Sequence, residues 1–151
     1  MAEINTTQGA KLVAKTKVLP HEMHGRKRVL CAKMPAVFAA PAVNDTILLG
    51  RIPAGSRILG TGILSCAVGT ATGTLDIGLR ETTTGTVLSA TGIATGVDVA
   101  TAGIKNLNTG AYIAAGAEYV TLVECDVYAT VKVAVLLANQ ALKVELHYVT
   151  D

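Results

Sequence analysis

Over residues 74–80 the chain alternates strictly, with Leu75, Ile77 and Leu79 on one face and Thr74, Asp76, Gly78 and Arg80 on the other. A period of two is the mark of a strand with one buried face. Residues 142–149 repeat the pattern: Leu142, Val144, Leu146 and Tyr148 point inward, and Lys143, Glu145 and His147 outward. Thr46–Ile52 reads as a strand stopped by Pro53-Ala54-Gly55, where Pro at the second position and Gly at the fourth fit a type I reversal. Residues 57–68 form the longest strand candidate, with Gly60 and Gly62 marking a bend, a bulge or a close backbone approach. Thr82-Thr83-Thr84-Gly85 turns the chain into a strand over 86–90. Residues 91–105, rich in Gly, Ala and Thr with weak periodicity, read as a loop with one helical turn near 98–102. Further strands are expected over 106–113, 119–125 and 127–137, and Asn139-Gln140 lies in a hairpin connection before the last strand.

Upstream, residues 11–18 alternate as well, so that an extended strand would carry Lys11, Lys15 and Lys17 on one face with Val13. Pro20 and His21-Glu22-Met23-His24-Gly25 interrupt before a second extended run over 27–34. Pro35 and Pro41 then favour an edge-type connection over a central strand. About eight strands with short turns and no amphipathic helix give an all-β chain: an antiparallel two-sheet sandwich, jelly-roll-like, with a closed barrel as the alternative closure. Residues 1–45 are read as an extended N-terminal arm and 46–151 as the β-sandwich body.

Composition sharpens this. Half the 151 residues are hydrophobic but only 3% are aromatic, and the chain holds 23 Ala, 19 Thr and 15 Gly. The core must be built from small aliphatic side chains, which argues against a helical bundle. The charge-free stretch 58–75 is broken by four glycines and four threonines, so it reads as β structure and not as a membrane span. Charge is unevenly placed. Residues 1–33 carry seven basic side chains against Glu3 and Glu22, net +5, while residues 34–151 carry six basic and nine acidic, net −3. Cys31, Cys66 and Cys125 are odd in number and widely spaced, so no disulfide framework is expected and synthesis belongs in a reducing compartment. The first residues have no basic segment followed by an apolar one, so no secretory leader is expected.

Catalytic constellations are weak. His21 and His24 are spaced i, i+3 between Pro20 and Gly25, whereas a zinc-protease helix needs histidines at i, i+4. His147 falls on the outer face of a strand, and Cys66 and Cys125 lie in apolar strands where a thiol is an inert small hydrophobe. Gly60-Thr61-Gly62-Ile63-Leu64-Ser65 begins like a dinucleotide fingerprint but lacks its last glycine and its strand–helix setting. No catalytic residue, cofactor or metal ligand is expected, and the chain is read as a non-enzyme. The lysines of the basic stripe suit phosphates, but residues 1–33 hold no Phe, Tyr or Trp to stack bases, which disfavours nucleic acid.

Four segments carry a resemblance: Ile47-Leu48-Leu49-Gly50-Arg51-Ile52-Pro53-Ala54-Gly55-Ser56-Arg57-Ile58, Thr74-Leu75-Asp76-Ile77-Gly78-Leu79, Glu118-Tyr119-Val120-Thr121-Leu122 and Val144-Glu145-Leu146-His147-Tyr148-Val149. Together they resemble the jelly-roll-like head decoration, or cement, proteins of tailed bacteriophages. The resemblance implies a virion structural protein, made in the host bacterial cytoplasm. It would bind the exterior of an assembled capsid as a dimer or trimer and bridge subunits of the major capsid protein, with no membrane partner. Lys11, Lys15, Lys17, Arg26, Lys27 and Arg28 are the expected capsid contacts. The alternative is a tail or baseplate module binding a host-surface glycan, which asks for exposed rings among Tyr112, Tyr119, Tyr128 and Tyr148. A hydrolase on a β-sandwich would act through His147 or Cys125.

Overall fold

Nine strands form among the described residues. A computed structural model describes residues 26–114 and 119–150, together with Lys11 and residues 13–15. The strands are β1 (Arg26–Lys33), β2 (Thr46–Ile52), β3 (Arg57–Ile58), β4 (Gly62–Cys66), β5 (Thr74–Glu81), β6 (Val87–Asp98), β7 (Gly103–Leu107), β8 (Cys125–Lys132) and β9 (Leu142–Thr150). One sheet has the order β1-β9-β4-β7, with β3 also paired to β9, and the other has the order β2-β8-β5-β6. All pairings are antiparallel. Apart from β5–β6 and the broken β3–β4 strand, every connection crosses to the opposite sheet, which is the jelly-roll arrangement.

The inner faces meet in an aliphatic core. Ile52, Leu75, Ile77, Leu79, Ile93, Val127 and Val131 from one sheet face Leu64, Leu107, Val144 and Leu146 from the other, all fully buried. Each such side chain contributes roughly 1.5–3 kcal/mol by leaving water. The inward positions expected over 74–80 and 142–149, Leu75, Ile77, Leu79, Leu142, Val144, Leu146 and Tyr148, are all buried, while Gly78, expected on the outer face, and Val149 are buried as well.

Several expectations change. Residues 26–33, assigned by sequence to the arm, pair along their whole length with β9, Arg26 opposite Thr150 and Lys33 opposite Lys143. The strand expected over 11–18 does not hold where those residues are described: Lys11 and Val13 have helical backbone and 14–15 form a turn. Lys17, His21 and His24 lie outside the described residues. The long candidate over 57–68 is two pieces. Its pairing with β9 slips between Ile58↔Tyr148 and Ile63↔Glu145, and Gly60 and Gly62 sit in that break. A Cβ on Gly60 would come 2.7 Å from Ile113 Cγ2, the close approach that the paired glycines imply.

Residues 91–105 are not a loop: β6 runs to Asp98 and β7 begins at Gly103. Three register shifts against β5 scramble the period of two, so the strand has no clean alternation to read. At one shift, Asp76 Oδ1 accepts from Gly96 N (2.8 Å) and Thr95 Oγ1 (3.2 Å), with Gly96 at φ 60°. The helical turn expected near 98–102 is a bend in which Asp98 Oδ1 accepts from Ala100 N, 2.8 Å. The strand expected over 106–113 ends at Leu107, and that over 119–125 contributes only the bridge Val120↔Arg57 before β8 begins. The strand expected over 127–137 leaves the sheet after Lys132, where Val133 has φ 64°. Residues 133–141 then cross between sheets, so Asn139-Gln140 does not close a hairpin. The turn after Ile52 places Gly55 at φ 78°, a left-handed position that glycine fills without strain.

Gly78 is the tightest point in the β5–β6 pairing: a Cβ there would lie 2.2 Å from Ser89 O and 2.5 Å from the Ala90 carbonyl. Backbone cannot yield as a side-chain tip can. Gly78→Ala is expected to lower unfolding free energy by about 1–3 kcal/mol, read from urea denaturation.

Candidate functional site: two unlike ends of the sandwich

Because β1, β4, β6 and β8 run one way and their partners the other, the loops sort onto two ends. The β2–β4, β5–β6 and β7–β8 connections share the end where Arg26, Lys27 and Arg28 begin β1. Residues 34–45, 67–73, 99–102 and 133–141 share the opposite end.

The first end is charged. Arg26, Lys27 and Arg28 are exposed. In the register, Lys27 and Arg57 both lie opposite Val149, so β1 and β3 bring two basic side chains to either side of one β9 residue. Arg51 and Arg80 reach the same end from the last residues of β2 and β5, flanking Asp126 in the register. Arg51 Nε donates to Asp126 Oδ1 at 2.9 Å, Arg80 Nε lies 3.6 Å from Oδ2, and Thr82 Oγ1 donates to Oδ1 at 3.1 Å. Arg51 also reaches Glu124 Oε1 at 3.3 Å, and the Arg80 guanidinium sits 5.3 Å from the centre of the Tyr128 ring. Burial pushes the Asp126 carboxyl up, but its hydrogen bonds from Arg51 and Thr82 and the two guanidinium charges outweigh it and hold it below the ordinary carboxylate value. Among described side chains this end collects six basic and three acidic groups (Arg26, Lys27, Arg28, Arg51, Arg57, Arg80; Glu81, Glu124, Asp126).

Of the sequence-predicted contacts, Arg26, Lys27 and Arg28 are thus brought together, but on alternating faces of β1 and not as one stripe. Lys11 and Lys15 lie in the helical and turn residues upstream. Arg51, Arg57 and Arg80 were missed. Their only sequence signal is a position at a strand end, and it acquires meaning only once the strand directions are known.

The groups weighed for catalysis are apart. His147 is in the β1-β9-β4-β7 sheet, its Nδ1 2.8 Å from Thr61 Oγ1, while Cys125 is in the other sheet. Cys125 Sγ donates to Val123 O and Cys66 Sγ to Thr101 O, and burial raises both thiols above their ordinary pKa. Cys31 is exposed on the outer face of β1, opposite Glu145, which pairs with Lys143. Among the described residues no three His, Cys, Asp or Glu side chains are placed to share a metal ion, and no helix is long and apolar enough to cross a membrane. Of the tyrosines, Tyr128 and Tyr148 are buried, and Tyr112 and Tyr119 stack on each other at 3.9 Å, each giving one ring face to the other.

The chain matches no family model and no curated protein. Its fold is similar to that of chains in three solved phage capsids. For the capsid of Ralstonia phage GP4 the TM-score is 0.65 at 17% identity, covering 84% of this chain and 86% of that one. For the capsid asymmetric unit of cyanophage Pam1 the TM-score is 0.62 at 20% identity, covering all of both chains. For the acidic stable capsid of Helicobacter pylori bacteriophage KHP30 it is 0.53 at 17% identity, covering 84% and 90%.

Two outcomes follow from the site. In the native protein one thiol per chain, Cys31, is expected to react with a disulfide reagent, and Cys66 and Cys125 only after unfolding. The stability given by Asp126 is present above the ordinary aspartate pKa and lost as pH falls through its lower folded value. Asp126→Asn is expected to cost about 1–3 kcal/mol at neutral pH and to flatten the fall in unfolding free energy as pH drops below the ordinary aspartate pKa, measured by denaturation across the acid range.

Proposed function

We propose that the chain is a structural component of a tailed-phage virion that binds the outer surface of an assembled capsid and stabilises it by bridging subunits of the major capsid protein. The observation that carries this reading is a fold shared over 84% to 100% of the chain with chains of phage capsids. The absence of a nucleophile–base pairing between His147 and Cys125, and the placement of the tyrosines, favour adhesion over hydrolysis or glycan stacking.

The physics is linkage. A protein that binds the assembled lattice across subunit joints, and free subunits less well, shifts the equilibrium toward the shell. Copies joined as a dimer or trimer engage several subunits at once, which multiplies avidity without any single strong contact. The basic end is the lattice-facing surface in this reading: Arg26, Lys27 and Arg28, with Lys11, Lys15 and Lys17 ahead of them, meet acidic groups on the capsid. Arg57 extends the same surface.

The truncation that tests it stops at residue 25, because β1 is part of the sheet and removing it would leave one edge of β9 unpaired from Lys143 to Thr150. Deleting residues 1–25 together with Arg26→Glu, Lys27→Glu and Arg28→Glu is expected to leave a cooperatively folded sandwich. It should weaken co-sedimentation with empty heads assembled without this chain by about tenfold or more, and wild-type binding should weaken with added salt. Undiminished binding by the variant at the same ionic strength rejects the basic end as the contact.

A further inference from the structure

One side of β1 is paired and the other is bare. Just past the strand, Met34 N donates to Leu142 O at 2.9 Å, and on the far side of β9 Leu59 N donates to His147 O at 2.9 Å. In the antiparallel register these two bonds fix the parity of the ladder. Arg28, Leu30 and Ala32 bond to β9, while Lys27, Val29, Cys31 and Lys33 turn their N–H and C=O groups away from it. Among the described residues nothing meets those outward groups, and β1 is the last strand of its sheet.

Below this edge lies an apolar seam. β2 is an edge strand of the opposite sheet, on the same side of the sandwich. Leu30 lies against it at Gly50, where a Cβ would come 2.7 Å from Leu30 Cδ1, and closes the seam there. Further along β1 the seam opens into a crevice whose lining includes Ala32, Met34, Ile47, Leu48 and Leu49. Leu48 is 57% exposed at its mouth. A strand added to β1 would turn alternate side chains toward this crevice, and the others would stand beside Lys27, Val29, Cys31 and Lys33.

Charge selects the occupant. β1 carries Arg26, Lys27, Arg28 and Lys33 and no acid. The carboxylate opposite Cys31, that of Glu145, is paired with Lys143. A second copy of β1 would set these cations against their own kind. Residues 1–25 hold three lysines against Glu3 and Glu22, so they bring no surplus of negative charge either. The complement is an acidic strand from another protein.

We infer that the free edge of β1 receives, as an added strand, an extended segment of the major capsid protein in which apolar residues alternate with Asp or Glu. The inference rests on the reading above and deepens it by naming the chemistry of the partner segment. Main-chain hydrogen bonds to Lys27, Val29, Cys31 and Lys33 hold the segment, and the crevice beside Leu48 takes its apolar side chains. Cations along the edge admit an acidic strand and turn away basic ones, including other copies of β1.

Hydrogen exchange and a proline substitution test it, with the full-length chain and empty heads assembled without it. In the free chain the amides of Val29 and Cys31 are expected to exchange fast while those of Leu30 and Ala32 are held by β9, and on head binding the fast set should slow by about tenfold or more. Cys31→Pro removes an outward N–H and no bond to β9, so it is expected to leave urea unfolding cooperative. It should weaken co-sedimentation with heads by about tenfold or more, with Cys31→Ala binding like the wild type. Fast amides that stay fast in the bound chain, or a folded Cys31→Pro variant that binds like the wild type, overturn the inference and leave the capsid-binding reading standing. A wild type that does not bind heads overturns both. Edge amides already slow in the free chain, and fast once residues 1–25 are deleted, assign the edge to the chain's own N-terminal residues and overturn the inference. If Cys31→Pro does not fold, the exchange of the wild type decides alone.

Discussion

The sandwich depends on sealing two sheets against each other with short side chains. With one Phe and no Trp in the chain, Tyr148 is the one aromatic ring among the buried core side chains, and the fully buried hydrophobic positions are Leu, Ile, Val and Ala with Cys125 beside them. Short side chains fill an interior to normal density only if the backbones come close. Around β6 glycine lets backbone meet backbone: a Cβ on Gly78 of the neighbouring strand, or on Gly110 of the loop after β7, would lie within about 2.3 Å of β6 backbone atoms. The same need accounts for the repeated register shifts along β6, which bend a long strand around the core.

How far this was legible follows from where the alternation survives. Strands β5 and β9 pair without slippage against β8 and β1, so one face stays buried along their length and Leu75, Ile77, Leu79, Leu142, Val144 and Leu146 announce themselves. β6 hides because a bulge moves the inward face by one residue, and three bulges leave Gly92, Ile93 and Ala94 buried in succession. β1 reads as an arm because three consecutive basic residues open it and it has no clean alternation; only the partner strand, more than a hundred residues later, shows that it belongs to the sheet. The contact set was half legible for the same reason. Arg26, Lys27 and Arg28 are neighbours in the chain, while Arg51, Arg57 and Arg80 become their neighbours only through topology.

Topology also gives the molecule its direction. Each sheet alternates strand polarity, so residues placed at alternate strand ends accumulate on one end of the sandwich. The guanidinium groups around Asp126 gather at one pole, and the crossings between sheets that carry a single charge, Asp45, gather at the other. Neither pole is visible as a run in the sequence.

The pairing of Arg26 with Thr150 has a practical side. The polypeptide enters and leaves the sandwich at one corner, so a peptide or enzyme grafted ahead of residue 26 or after residue 150 would emerge from the same pole. Cargo meant to project from the far pole would have to be carried instead by an inserted loop among the sheet crossings, where the backbone is held by Gln140 and Asn139.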